Sequence, residues 1–268
     1  MRVEQLGDGE PEVAVVAGIH GDEPCGPRAV ERLLEEDPDV ERPVKLVVAN
    51  ERALEHGDRY VNEDLNRAFP GDPHGENYEQ RIAHDLFAEL RDCTTLSLHS
   101  TQSYADPFAL VDRVDAVARS ICPYLPITEV VETDEFATGR LIAQPHTIEV
   151  ECGLQGTDAA AENAYHLVSG FLAATGVRPT DEAENSIDAG ARGQVDVYRL
   201  RRSVPKNGAS EYEVVVENFE DVVAGEPFAV ADDEEILAEE SFVPILMSAY
   251  GYEDVFGYTG ERVGTLGD

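Results

Sequence analysis

The chain has 268 residues, 55 of them Asp or Glu against 20 Lys or Arg, which gives a formal net charge of -35 at pH 7. This charge excludes nucleic acid and anionic membranes as favourable partners, because both are themselves negative. An acidic disordered tail is also excluded, since 42% of the residues are hydrophobic and the acids are spread throughout.

The first two thirds of the chain alternate apolar runs with helical patterns. The predicted strands are Val13–Ala17, Val44–Ala49, Thr95–Leu98 and Thr147–Val150. The predicted helices are Gly26–Glu36, Glu76–Arg91 and Asp158–Thr175. This alternation predicts an α/β fold, with a mixed, largely parallel sheet flanked by helices, as a domain over residues 1–177.

The composition changes after this region. Residues 178–194 are rich in Gly, Pro, Asp, Glu and Ala without periodicity, which predicts a linker. Four short strand patterns follow, at Val195–Arg202, Tyr212–Asn218, Pro227–Ala231 and Phe242–Ser248. We therefore expect a small β domain over residues 195–268 that packs beside the active site.

The cellular setting follows from charge and from the ends of the chain. No charged-then-apolar leader and no run of about eighteen apolar residues is present, so we expect neither export nor a membrane span. Only Lys45 and Lys206 are lysines, and the excess of acid predicts a cytoplasmic protein of a salt-accumulating halophile. The sequence leaves a homo-oligomer open.

The four cysteines show no CxxC spacing. In a reducing compartment, Cys25, Cys93, Cys122 and Cys152 are most simply small buried residues. Cys25 lies two residues after Glu23, beyond a proline, which disfavours it as a metal ligand.

A candidate metal site follows the first strand. His20 and Glu23 stand together in the turn after Val13–Ala17, and a second apolar segment ends at His99. A parallel sheet places the carboxyl ends of its strands at one edge, so the three side chains are expected to meet. Two imidazoles and one carboxylate are a ligand set that catalytic zinc takes.

A candidate anion site lies between Arg59 and Gly71. Arg59 and Arg67 bracket a segment in which Asn66 directly precedes Arg67, just before a Phe-Pro-Gly turn. Guanidinium groups bind carboxylates through two parallel hydrogen bonds, and a neighbouring amide can add a third.

These motifs, in this order, resemble the succinylglutamate desuccinylase/aspartoacylase family within the zinc carboxypeptidase-like superfamily. The matching elements are GxHGxE at 18–23, Asn-x-x-Ala at 50–53, DLNRxFPG at 64–71, His99 at a strand end and Glu-x-Gly at 151–153. They span about half of the chain, and together they are specific although each alone is not.

The resemblance implies one zinc ion per chain, with His20, Glu23 and His99 as its protein ligands. It implies Glu151 as the catalytic carboxylate and Arg59 as the group that polarises the scissile carbonyl. The substrate carboxylate would be held by Asn66 and Arg67, with Tyr250 and Arg140 as further substrate contacts. The implied activity is hydrolysis of the amide bond of an N-acylated, carboxylate-bearing amino acid, a small-molecule substrate.

Three positions depart from the family pattern or compete with it. Many relatives have Asp two residues before the second histidine ligand, whereas this chain has Ser97. Arg140 is one position out of register with the extra arginine of aspartoacylases. Glu149 lies on the same strand face as Glu151, and the Cys-Gly that follows Glu151 favours Glu151 as the base.

Three other functions stay open at this point. The same zinc site and carboxylate-binding arginine would serve a metallocarboxypeptidase that acts on peptide ends. The chain could instead be a non-catalytic zinc-binding domain, or an α/β protein whose motifs are coincidental. The acyl group and the amino acid of the substrate are not fixed by these motifs.

Overall fold

The computed structural model of the chain describes residues 1–179 and 194–266. The strands in this part are β1 (Arg2–Leu6), β2 (Val13–Ala17), β3 (Val44–Val48), β4 (Thr94–Thr101), β5 (Phe108–Val111), β6 (Glu129–Glu132), β7 (Thr147–Leu154), β8 (Val195–Pro205), β9 (Tyr212–Val214), β10 (Pro227–Ala231), β11 (Glu234–Leu237), β12 (Val243–Ile245) and β13 (Val255–Leu266). The α-helices are α1 (Cys25–Glu36), α2 (Glu51–His56), α3 (Tyr78–Glu89), α4 (Ala116–Ile121) and α5 (Asp158–Ala174).

One mixed sheet organises the molecule, in the strand order β1-β3-β2-β4-β7-β5-β6-β8-β13-β12. The pairs β2–β3, β2–β4, β4–β7, β5–β6 and β6–β8 are parallel. The pairs β1–β3, β5–β7, β8–β13 and β12–β13 are antiparallel. The predicted α/β class with a mixed, largely parallel sheet is therefore confirmed.

Helices cover both faces of this sheet, as the alternation of β2 shows. Val13, Val15 and Ala17 pack in one apolar cluster with α1 and α5, whereas Ala14 and Val16 pack in another with α3. A strand that is buried on both faces reads as a continuous apolar run, which is what its sequence shows. The strand is fully buried, and it ends just before the candidate metal site.

The C-terminal strands divide between two sheets. Strands β8, β13 and β12 continue the main sheet beyond β6, so that edge of the parallel region is paired. Strands β9, β10 and β11 form a separate antiparallel sheet. Most of the predicted linker, residues 180–193, lies outside the described residues, and the division into domains at residue 177 stays a prediction.

The connection between β4 and β7 is richer than its sequence pattern indicated, since it contains β5, α4 and β6. The four cysteines are free and buried, as expected. Within residues 1–179 and 194–266, no helix combines the length and apolar character that crossing a bilayer requires.

Candidate metal and catalytic site

Three of the predicted ligands come together at the carboxyl ends of neighbouring strands. His20 and Glu23 lie in the turn between β2 and α1, and His99 lies in β4, beside β2. All three side chains are buried, and their candidate ligand atoms lie within 4.8 Å of one another. Strand β4 extends to Thr101, so His99 is held within the strand and not in the loop that follows it.

A close backbone contact shapes the first turn. A Cβ at Gly21 would lie 2.1 Å from the carbonyl carbon of Ala53, so only glycine fits there. The Gly21 N–H donates to the carbonyl of Arg59 at 3.2 Å. The HGxE turn, the Asn-x-x-Ala element and the start of the arginine segment are therefore one packed unit.

Glu23 bridges the two imidazoles. Its Oε1 lies 2.7 Å from His20 Nδ1, and its Oε2 lies 3.2 Å from His99 Nδ1. Burial disfavours ionisation of Glu23, but the charges and hydrogen bonds of His20 and His99 outweigh it and hold its pKa well below the usual range. Burial acts against the charged form of His99 as well, yet Glu23, Glu149 and Glu151 raise its pKa to about 9.

These residues fit a divalent metal such as zinc. Nδ1 of His20 and Nδ1 of His99 both lie within 3.2 Å of the carboxylate of Glu23, and imidazole with carboxylate is a donor set that zinc accepts. Each imidazole lies at hydrogen-bond distance from the shared carboxylate, and a nitrogen that binds a metal ion must be deprotonated. The group can therefore hold a metal ion.

Asp64 is a site residue to which the sequence analysis assigned no role. Its Oδ1 lies 3.0 Å from His20 Nε2, and its Oδ2 accepts hydrogen bonds from the guanidinium of Arg59 at 3.2 and 3.3 Å. Arg59 also lies 3.3 Å from Glu23 Oε1. Burial acts against ionisation of Asp64, but His20 and Arg59 hold its pKa well below the usual range. The structure thus places Arg59 beside the ligand group, as expected.

A buried carboxylate holds the segment that carries Arg59 and Asp64. Glu79 of α3 is 0% exposed and accepts three consecutive backbone N–H groups of residues 61–63, at 2.7 to 3.4 Å. It also accepts a hydrogen bond from Asn50 Nδ2 at 3.2 Å. These four hydrogen bonds hold the loop in place, because loss of the carboxylate would leave the donors without that partner.

Glu151 has one buried carboxylate oxygen without a hydrogen-bond partner among the described residues. It pairs with His99 across β4 and β7, and its Oε2 is buried without a hydrogen bond among the described residues. Burial, with the nearby charges of Glu23 and Glu149, raises the pKa of Glu151 to about 7 despite the opposing effect of His99. A carboxylate with a pKa near neutral is suited to accept and return a proton.

Steric constraints explain why the Glu-x-Gly element ends in glycine. Gly153 has φ +120°, and a Cβ there would lie 2.6 Å from the carbonyl oxygen of Ala105. The strand can therefore turn directly after Glu151 only with glycine at this position.

Glu149 lies beside the ligand group and differs from Glu151 in its partners. Asn66 Nδ2 donates to Glu149 Oε1 at 3.2 Å, and that oxygen lies 3.9 Å from His99 Nε2. The two carboxylates share one strand face, as the alternation of β7 predicted.

Two further guanidiniums, those of Arg67 and Arg140, line the same cleft. Desolvation and the charge of Arg140 lower the pKa of Arg67. Arg140 donates to the hydroxyl of Tyr258 at 3.0 Å. Asn66 Oδ1 accepts from the N–H of Leu141 at 2.9 Å, so this amide ties β7 to the Arg140 segment and has one amide hydrogen left for a substrate.

The structure does not bring Tyr250 to the site. Its side chain is 65% exposed, and its hydroxyl accepts the backbone N–H of Tyr212 at 3.4 Å. Tyr252 lines the cleft instead, and burial, with the neighbouring Tyr258, raises its pKa well above the usual range. The role of Tyr250 as a substrate contact stays a prediction, and Tyr252 is the tyrosine of this segment that lines the cleft.

All the predicted site residues except Tyr250 line one cleft. Its lining consists of His20, Glu23, Arg59, Asn66, Arg67, His99, Ser100, Thr101, Gln102, Leu110, Arg140, Glu149, Glu151, Gln155, Leu246, Ser248, Gly251 and Tyr252. The carboxylates and imidazoles of this lining stand together with the guanidiniums of Arg59, Arg67 and Arg140, an arrangement that suits an anionic ligand with a polar bond near the candidate metal group.

The sheet and this cleft define an α/β protein with a group that could hold a metal ion at the carboxyl ends of parallel strands. Residues 9–125 match the model of the succinylglutamate desuccinylase/aspartoacylase catalytic domain. This region of the chain holds the three candidate ligand residues and both motif arginines, and it is similar to that catalytic domain.

Solved structures with the same fold cover nearly the whole chain. They include a succinylglutamate desuccinylase/aspartoacylase from Rhodobacter sphaeroides (TM-score 0.77, 20% identity, 98% of this chain and 89% of that chain). Murine aminoacylase 3 is similar (TM-score 0.73, 21% identity, 97% and 98%), as is the product-bound ectoine utilization protein EutE (DoeB) from Ruegeria pomeroyi (TM-score 0.72, 19% identity, 98% and 88%). At these identities the likeness shows the fold.

Proposed function

We propose that the protein is a zinc-dependent amidohydrolase that removes the acyl group from an N-acylated, carboxylate-bearing amino acid. The observation that carries this proposal is the meeting, in one cleft, of the His20–Glu23–His99 group, the partly unpartnered Glu151 and the guanidiniums of Arg67 and Arg140. The names of the similar structures, which include desuccinylases, aspartoacylases and an aminoacylase, support the same reaction class.

The ion would be held by His20, Glu23 and His99. Bound zinc lowers the pKa of its water to about 7 and so supplies a nucleophile near neutral pH. Glu151 accepts the proton of the attacking water and returns it to the departing amine nitrogen, which its raised pKa favours.

The arginines divide between the reacting carbonyl and the substrate carboxylate. Arg59, beside Glu23, directs its guanidinium at the carbonyl oxygen as negative charge develops there. Arg67 binds the free carboxylate of the substrate, with Asn66 offering its remaining amide hydrogen. Arg140 lies close enough to Arg67 to affect its pKa, so a second carboxylate on the substrate would find a partner.

A substrate panel tests this proposal. Purified protein is loaded with one equivalent of zinc in about 3 M KCl and assayed with N-acetyl and N-succinyl amino acids that have one or two carboxylates. Peptides with a free C-terminus are assayed beside them. We expect amine release from the acyl amino acids, loss of activity on chelation and recovery with zinc.

The panel also separates the other functions. Preferential release of a C-terminal residue from peptides would replace the deacylase with a carboxypeptidase. Absence of turnover with every substrate, in protein that holds zinc, would favour a non-catalytic zinc-binding domain. Glu151→Gln is the matched control, because it keeps the shape of the side chain and removes its capacity to accept a proton.

The excess of negative charge leads us to propose that the protein works in a salt-rich cytoplasm. A net charge of -35 supports work in a cytoplasm with molar salt, where the Debye length falls to about 3 Å at 1 M.

A further inference from the structure

The two candidate imidazole ligands have the same orientation in the site. His20 and His99 each turn Nδ1 towards Glu23, at 2.7 and 3.2 Å, and each turns Nε2 outward. A histidine that binds a metal through one nitrogen carries its proton on the other, and a hydrogen-bond partner there fixes the ring and raises its basicity. The group that faces each Nε2 therefore matters for metal affinity.

The two outward nitrogens have different partners. His20 Nε2 lies 3.0 Å from a carboxylate oxygen of Asp64, which is direct hydrogen-bond distance, and also 3.0 Å from Nη2 of Arg59, which is itself paired with Asp64. His99 Nε2 lies 3.2 Å from the hydroxyl of Ser97, a neutral acceptor. A carboxylate oxygen of Glu149 lies 3.9 Å from this nitrogen, too far for a direct hydrogen bond.

Strand register explains how a carboxylate from another strand comes so close. Ser97 of β4 and Glu149 of β7 are register partners in the parallel pair, and His99 and Glu151 are the next partners on the same face. Ser97 is 0% and Glu149 4% exposed. Asn66 Nδ2 donates to the same Glu149 oxygen that faces His99, which fixes the carboxylate in place.

We propose that Glu149 is a positioning residue that supplies, from the neighbouring strand, the negative charge behind His99, while Ser97 supplies the hydrogen-bond acceptor. Asp64 supplies both the charge and the hydrogen-bond acceptor for His20. For His99, the charge comes from Glu149 on β7 and the acceptor from Ser97 on β4. This inference rests on the metal site of the proposed function, but it does not depend on the deacylase reaction.

If Glu149 supplies the charge and Ser97 the hydrogen-bond acceptor, a carboxylate at position 97 of β4 should replace the carboxylate of Glu149 on β7. In Glu149→Gln the charge is lost, and we expect zinc affinity to fall by about 10–100-fold, the usual effect of losing such a partner. In Ser97→Asp/Glu149→Gln the charge returns on β4, two residues before His99, and we expect affinity within about 3-fold of the original protein.

Zinc affinity is measured by competition with a chromophoric chelator at fixed pH and about 3 M KCl, without substrate. Glu132→Gln is the matched control, because Glu132 is also a buried strand carboxylate but pairs with Arg199, away from the ligands. Its zinc affinity should equal that of the original protein.

If Glu149→Gln alone does not fold, a comparison of two double variants still tests the proposal. Ser97→Asn/Glu149→Gln has the size of Ser97→Asp/Glu149→Gln without its charge, and we expect it to bind zinc at least about 10-fold more weakly. Equal affinity in these two double variants would overturn the proposal. So would a Glu149→Gln affinity within about 2-fold of the original.

The outcome is separable from the proposed function. A protein that shows this pattern of zinc affinities but hydrolyses no acyl amino acid would contradict the deacylase and leave the role of Glu149 established. If the protein hydrolyses acyl amino acids but its zinc affinity does not change in Glu149→Gln, the deacylase function is supported and the role of Glu149 is contradicted.

Discussion

Replacing Glu151 by Gln should abolish turnover and, in the metal-free protein, increase stability. Burial raises the pKa of Glu151 to about 7 from 4.5. Because the folded-state pKa is the higher one, the folded protein keeps a proton that the unfolded chain releases as pH rises through 4.5. Stability therefore falls between pH 4.5 and 7, and the full penalty remains above pH 7.

The difference between these two pKa values corresponds to about 3 kcal/mol in the free energy of unfolding. Glu151→Gln has no charge to bury, so its metal-free form should be more stable by up to about 3 kcal/mol at pH 8. Near pH 4 the two proteins should be equal. Turnover of the zinc-loaded variant should fall at least about 10²-fold with zinc retained.

Urea unfolding of chelated protein in about 3 M KCl, at pH 8 and near pH 4, measures the first effect, and the substrate assay measures the second. Glu149→Gln serves as the comparison, with zinc kept saturating so that weaker binding does not limit the rate. A larger loss of turnover in Glu149→Gln than in Glu151→Gln would show that Glu149 is the base. A Glu151→Gln protein that is less stable at pH 8 would refute the argument from burial.

Three other predictions concern the metal, the loop and the solvent. His99→Ala should lose most of the one zinc per chain that we expect in the original protein; unchanged metal content, by elemental analysis, would remove His99 from the ligand set. Glu79→Gln should lower stability by about 1–3 kcal/mol, because it places an amide against backbone N–H groups that now donate to a carboxylate; an unchanged urea midpoint would contradict the role assigned to Glu79. Raising KCl from about 0.1 M to about 3 M at fixed zinc content should increase the thermal midpoint steeply, since salt screens the net charge of -35; an unchanged or lower midpoint would rule out the halophilic interpretation.

Much of the ligand group could be predicted from sequence because it depends on short-range order and one rule of parallel sheets. His20 and Glu23 follow a strand that is apolar at every position, and His99 lies near the end of another. Adjacent parallel strands bring such ends together without any knowledge of the loops. The shared face of Glu149 and Glu151 followed from the two-residue period of a strand in the same way.

The missed features depend on contacts between distant segments. Leu246 adopts φ 53° after β12, and the turn that follows leaves Tyr250 exposed while Tyr252 enters the cleft. No periodicity signals such a turn. The role of Glu79 was equally hidden, since a lone acid in a helix gives no sign that three backbone N–H groups converge on it.

The pairing of β8 with β6 was not predictable for a related reason. A strand pattern such as Val195–Arg202 specifies a pleated, half-buried segment but not its partner. The partner was determined by the open edge of β6, which was itself unpredicted.

The alternation along β7 has a consequence for how this protein can change over evolution. Ile148, Val150 and Cys152 pack into the helix-covered core, while Glu149 and Glu151 face the cleft. A single inserted or deleted residue within this strand would exchange the two sets, placing carboxylates in the core and an apolar row in the cleft. Homologous chains should therefore vary in length in the surface loops but keep an invariant spacing from Thr147 to Gly153, which a collection of related sequences can check.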